Sequence, residues 1–319
     1  DGCLPPLPFQ YMDFARWQRS CQDLAAMETQ KAYWREQLRE GLLPVLEFPA
    51  DKPRPPVQTF TGGSVSFDIP AEFASRLEAL GRNYGCTMFQ TMLSVWSLLL
   101  CRHAGQEEVT VGVPYHGRDA AGLDKLIGYF VNMLAMRIDV AEDADVESLL
   151  IGVRGTAVDA ISNSSIPFHS LVDELLPKRQ VDLSRNAVFQ TMFVWNDGIS
   201  TNDASENVMG DGVVLSGVRV SDNTIAKCDL TFGLKTVSSD GSIAASIEFN
   251  SDVYERTSIE RLASRFTTLV SSMVANEASK NVWTLDIMDS RELDTILSKF
   301  NDTEAEFPRE KCLHDLIGE

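Results

Sequence analysis

Several stretches of the chain alternate apolar and polar residues with the period of a β-strand. Ser64 to Ile69 puts Val65, Phe67 and Ile69 on one face. Asn132 to Val140 alternates strictly: Leu134, Met136, Ile138 and Val140 share one face, and Met133, Ala135, Arg137 and Asp139 share the other. Glu108 to Val113 is a short apolar run between turn signals, which predicts a buried strand. Val188 to Trp195 reads as a strand, and so do residues 213–220, 229–237 and 243–250. In the last two, Leu230, Phe232, Leu234 and then Ala245, Ile247, Phe249 mark the buried faces.

Helical spacing fills most of the remainder. Tyr11, Phe14, Trp17, Tyr33 and Trp34 predict a helix from Tyr11 to about Leu38. Pro70 opens a helix to about Tyr84, with Phe73, Leu77 and Leu80 on one side. Thr87 is an N-cap candidate for a very apolar helix through about His103. Further helices are predicted at Asp145–Ile161, Phe168–Leu176 and 256–275, the last with Ile259, Leu262, Phe266, Leu269 and Met273 on its core face. Residues 1–10 are Pro-rich and extended, and the proline cluster from Phe48 to Pro56 reads as a surface linker. Residues 197–212 read as a mobile loop. Residues 276–319 read as a tail that wraps a surface through single anchors, Trp283, Leu285 and Phe300. Strands and helices mix without βαβ regularity, so the class is α+β, or α/β with a mixed sheet.

Composition narrows the partners. The 319 residues carry a net charge of −18, which disfavours nucleic acid and anionic membrane surfaces. The longest apolar stretch, Met92 to Cys101, is too short to span a bilayer. The six cysteines show no C-x-x-C spacing and no histidine at metal-ligand distance in sequence. Cys86 and Cys101 read as core residues, which suggests a reducing, cytoplasmic setting without disulfides or zinc. The start at Asp1-Gly2-Cys3, without a leader pattern, reads as a fragment of a longer polypeptide.

No motif names a reaction. There is no nucleophile elbow, phosphate cradle or H-E-x-x-H. Of four histidines, His116 sits in a turn after a predicted strand, as a base, a substrate contact or a plain turn residue. His103 ends an apolar helix, where a cation is favourable. His169 follows Pro167 and reads as a capping or surface residue; His314 lies in the tail. Arg137 interrupts an apolar alternation, so it either needs a buried acceptor or lies on a solvated edge. Asn132 points to the opposite side.

Several short blocks occur together and in order. Tyr11-Met12-Asp13-Phe14-Ala15-Arg16-Trp17 with Tyr33-Trp34 resembles the Y-x-D-F-A-x-W block of the condensation domains of non-ribosomal peptide synthetases. Ile127-Gly128-Tyr129-Phe130-Val131-Asn132 through Arg137 is similar to their I-G-x-F-V-N-x-L-x-x-R block. Pro167-Phe168 with Leu171-Val172, Ser184-Arg185 through Gln190, and Ala226-Lys227-Cys228-Asp229-Leu230 resemble three more. Phe300-Asn301-Asp302-Thr303 and Leu313-His314-Asp315-Leu316 resemble the link into an adenylation domain. Three departures stand out: Asn163-Ser164-Ser165 where H-Q-D is frequent, Ala187 for a proline, and Cys228 for an apolar residue.

The resemblance implies a chloramphenicol acetyltransferase-like lobe with a mixed sheet flanked by helices. Residues 1–56 would be the strap from an N-terminal lobe, 57–280 the C-terminal lobe, and 281–319 a linker toward an adenylation domain. It implies amide formation between two phosphopantetheine thioesters on donor and acceptor carrier domains, with no cofactor or metal bound directly. The family's H-H-x-x-x-D-G is not found in this sequence, so no catalytic residue is assigned. Tyr129, Asn132, Gln190 and His116 are the expected tunnel contacts, and Arg137, Asp13 and Arg185 the expected inter-lobe residues. The alternatives are a non-catalytic recruitment module of the same fold and an epimerising relative.

Overall fold

A computed structural model describes residues 6–21, 25–38, 43–175, 182–196, 207–209, 213–215, 225–236, 240–304, 312, 314 and 317. The long N-terminal helix is described as two, α1 (Tyr11–Cys21) and α2 (Ala25–Gln37). Then come β1 (Gly62–Ile69), α3 (Ala71–Asn83), α4 (Met88–Ala104), β2 (Glu108–Tyr115), β3 (Asn132–Asp139), α5 (Val146–Ser162) and α6 (Phe168–Leu175). The remaining elements are β4 (Thr191–Asn196), β5 (Asn207–Met209), β6 (Val213–Leu215), β7 (Leu230–Thr236), β8 (Ile243–Asn250), α7 (Arg256–Ala275) and α8 (Ser290–Asp294).

Six strands form a mixed sheet in the order β1-β8-β7-β4-β2-β3. The β2/β4 and β4/β7 pairs are parallel and the others antiparallel. β5 and β6 make a separate antiparallel pair, with Asn207 opposite Leu215. Part of 197–212, expected as loop, is therefore strand; the rest of that range lies outside the described residues.

Helices α4, α5 and α7 pack on the sheet, and α3 packs on α4 and α7. Trp96 of α4 stacks on Phe232 of β7 at 4.7 Å, and Phe266 of α7 meets the same ring at 4.6 Å. The predicted faces of β3, β7, β8 and α7 all supply core residues. Thr87 and Gln90 form a reciprocal capping box at the start of α4. Cys86, Cys101 and Cys228 are buried free thiols, and burial pushes Cys101 and Cys228 up to about 12.

Two segments expected as accessories share this core. Trp34, Leu38, Leu43 and Leu46 from the strap belong to it, as do Val282 and Leu285 beyond residue 280. Trp283 donates its indole N–H to Ala141 O at 2.9 Å. Phe300, expected as an anchor, is instead 70% exposed.

Candidate functional site

The connection between β2 and β3, residues 116–131, is held from both sides. Gly117 has φ +63°, and a Cβ there would run into the carbonyl of Phe130, so no larger residue fits the turn. The Arg118 guanidinium donates to the carbonyls of Leu123 and Leu126 and lies 4.2 Å from the centroid of the Phe130 ring. Tyr11 Oη donates to the Tyr129 carbonyl at 2.8 Å. Leu123, Leu126 and Phe130 form a small second core with Leu7, Phe9, Tyr11 and Phe14 of the N-terminal segment.

Between this connection and α1 lies a cleft of about 330 Å³. Its apolar wall consists of Phe14, Trp17, Met27, Leu123 and Phe130. The polar end carries Tyr115, Asp119, Asn132, Ser164 and Ser165. Tyr115 Oη donates to Asp119 Oδ1 at 2.5 Å. Burial, and after it the Asp119 carboxylate, push the Tyr115 phenol up to about 12.

The expected contact residues divide. Tyr129 is 74% exposed and free to meet a partner. Asn132 lines the cleft, but all its hydrogen-bonding capacity serves the fold. Its Nδ2 donates to Ser164 O (2.9 Å) and Ile166 O (2.7 Å), and its Oδ1 accepts from Met133 N (3.0 Å) and Phe168 N (2.9 Å). Asn132 is thus the clamp that joins β3 to the start of α6. Gln190 is 3% exposed; it accepts from Leu46 N at 2.8 Å and donates to Asn186 O at 2.9 Å. It fastens the strap to the 186–190 segment. His116 is exposed and its Nδ1 accepts from Arg118 N at 3.0 Å. It shapes the turn, and no carboxylate among the described residues bonds to it.

The expected inter-lobe residues have partners within this chain. Arg137 donates through Nε and Nη2 to Glu108 Oε2 at 2.8 and 2.5 Å. The pair is partly exposed on the edge of the sheet, so both an acceptor and solvent are present. Asp13 caps α1 by accepting from Gln10 N at 2.9 Å. Arg185 lies 3.2 Å from Glu47 and 3.0 Å from Asp182.

Two charged clusters pair residues that no sequence pattern brings together. Arg54 makes a forked contact with Asp229, at 3.0 and 2.5 Å, in the region expected as a surface linker. His103 accepts from Arg265 through Nε2 at 2.8 Å, while Arg265 grips Glu292 at 2.5 to 3.2 Å. His103 is therefore not a helix-end cation. Burial first, then Arg265 and Arg102, lower its pKa. No local pattern marks either cluster, because the partners are 175 and 162 residues apart. Among the described residues, no group of histidine, cysteine and carboxylate side chains could hold a metal ion. No single described helix is long and apolar enough to cross a membrane.

Comparison with known proteins assigns the chain. Residues 2–297 match the condensation domain family. A linear gramicidin synthase of Brevibacillus parabrevis is 34% identical over 99% of this chain, which spans 6% of that protein. A plipastatin synthase of Bacillus subtilis is 37% identical over 95% of the chain and 8% of its own length. The X-domain from teicoplanin biosynthesis, solved with OxyB, shares the fold at a TM-score of 0.78 and 22% identity, over 90% of this chain and 62% of that one. The condensation domain of the monacolin K polyketide synthase MokA does so at 0.71 and 17%, over 90% and 65%. The six-stranded mixed sheet flanked by helices is thus the chloramphenicol acetyltransferase-like arrangement of such domains, and the chain belongs to the condensation-domain family.

Proposed function

We propose that this chain is the C-terminal lobe of a condensation domain that joins two carrier-bound acyl groups in a non-ribosomal peptide synthetase. The observation that carries the reading is the family match across residues 2–297, together with 34–37% identity to peptide synthases over 95–99% of the chain. In the proposed reaction, the neutral amine of the acceptor thioester attacks the donor thioester carbon. A C–N bond forms, the C–S bond breaks, and the amine proton ends on the departing thiol. Both substrates arrive tethered to phosphopantetheine arms, so catalysis is chiefly positioning; well-oriented reactants gain effective molarities of about 10⁵ M or more.

The lobe supplies the wall and a preceding lobe supplies the histidine motif. The pinned β2–β3 connection fits the wall role, since it presents Tyr129 and Ile127 (96% exposed) on a rigid backbone. Arg137 uses Nε and Nη2 on Glu108; Nη1 has no hydrogen bond among the described residues, and its proposed partner is a carboxylate of the preceding lobe. Carrier domains, the preceding lobe and a downstream adenylation domain are the partners, and the cytoplasm is the setting.

The test uses loaded donor and acceptor carrier proteins, with the amide product read by mass spectrometry. A longer chain that includes the preceding lobe is expected to form amide. The 319-residue chain alone is expected to form none, and Arg137→Ala in the longer chain should reduce turnover at least tenfold. Turnover by the short chain would defeat the histidine-centred assignment. Absence of amide from the longer chain would favour a recruitment module.

A further inference from the structure

We infer that the cleft under α1 is a binding site for an apolar primary amine, and that Asp119 is the group that selects the amine. This deepens the reading above, since the acceptor in that reaction is an amine bearing a side chain. Three observations meet here. The cleft, at about 330 Å³, falls at the lower end of the range of small-ligand sites, about 300–1,000 Å³. Four aromatic residues contribute to its lining, Phe14, Trp17, Phe130 and Tyr115, and Trp17 is still 58% exposed despite its size. At the polar end, Asp119 has one oxygen occupied.

That occupancy is what makes the site selective. Tyr115 donates to Oδ1 of Asp119, which fixes the carboxylate. Oδ2 has no hydrogen-bond partner among the described residues. Among the described residues that line the cleft, Asp119 alone carries a negative charge, and the Asn132 amide is saturated. A ligand in the cleft therefore meets aromatic faces along its body and one fixed, half-free carboxylate at its end. An ammonium or amine N–H satisfies both, and the aromatic walls also favour a cation. A neutral alcohol of the same shape keeps the apolar contact and can donate one O–H to Oδ2, but it brings no charge to pair with the carboxylate.

The test titrates the ¹⁵N-labelled chain with 2-phenylethylamine and with 2-phenylethanol, following the Trp17 indole N–H. The two probes share a body and differ in the terminal group. The amine is expected to bind at least tenfold tighter. Asp119→Asn should bring the amine down to the level of the alcohol and change the alcohol far less. Ala120→Phe, which fills the cleft from its rim, should abolish both, and it carries the test if Asp119→Asn does not fold. Equal binding of the two probes, an amine affinity indifferent to Asp119→Asn, or binding that survives Ala120→Phe each overturns the inference. Amide formation by the longer chain reports separately. If amide forms and amine selectivity is missing, only the cleft assignment falls; if selectivity is present and no amide forms, only the functional reading falls.

Discussion

At the end of α4 the His103 ring is bonded on both nitrogens. Nδ1 donates to Leu99 O at 2.8 Å, which leaves Nε2 as an acceptor for Arg265. Phe48 stacks on the ring at 5.4 Å, Arg102 and Arg265 bring positive charge, and Glu292 opposes them only in part. Burial disfavours the charged ring, and protonation would set an N–H against the guanidinium N–H, so the folded pKa lies below the ordinary 6.5. The unfolded chain then binds more protons between that lowered value and 6.5, and stability declines as pH falls across this window. The contribution of this residue is complete above pH 6.5. His103→Phe keeps the stack without the proton site. Melting temperature measured from pH 7.5 to 5 is expected to fall more in the parent than in His103→Phe; parallel curves would show that His103 does not titrate.

Among the elements, legibility in the sequence followed burial on one face. β1, β3, β7 and β8 pack one side against helices, and this imposes the two-residue alternation that marks them. α4 was legible at its start because Thr87 and Gln90 satisfy each other's backbone within three residues. β4 was not, since Val188, Phe189 and Gln190 are as buried as the strand they precede yet stand outside its ladder. The candidate site was half legible. Its blocks located the 116–131 connection, but the roles of Asn132 and Gln190 depend in part on distant backbone partners, 32 to 36 residues away for Asn132 and 144 for Gln190. The connection itself rests on Gly117. Gly117→Ala forces a side chain into the left-handed region and against Phe130, at a cost of about 1–3 kcal/mol. Urea denaturation should show this loss, and 2-phenylethylamine binding should weaken with it, because Phe130 lines the cleft. A variant with parent-like stability and binding would mean that the turn relaxes without moving Phe130.

For the molecule as a whole, the decisive question is what holds the strap to the sheet. Residues 43–56 cross from α2 to β1, and their fixed points are Leu43 and Leu46 in the core, Gln190 on the Leu46 amide, and Arg54 on Asp229. The Arg54–Asp229 pair is deeply set, with side chains 16% and 4% exposed. Arg54 also donates to Ser184 O at 3.3 Å, so one guanidinium ties the strap, the 182–190 segment and the start of β7 together. Such a pair is paradoxical as a source of stability. Its attraction roughly offsets the loss of hydration, yet removing one partner leaves a bare buried charge. Arg54→Met alone should therefore destabilise by about 3–5 kcal/mol, and Asp229→Leu alone by a similar amount. The double variant Arg54→Met/Asp229→Leu should recover most of the loss, because neither charge is then stranded. Guanidinium denaturation of all four proteins closes the cycle. If the double variant loses as much as the two singles added together, the pair is not coupled, and the strap is held by its apolar residues and Gln190.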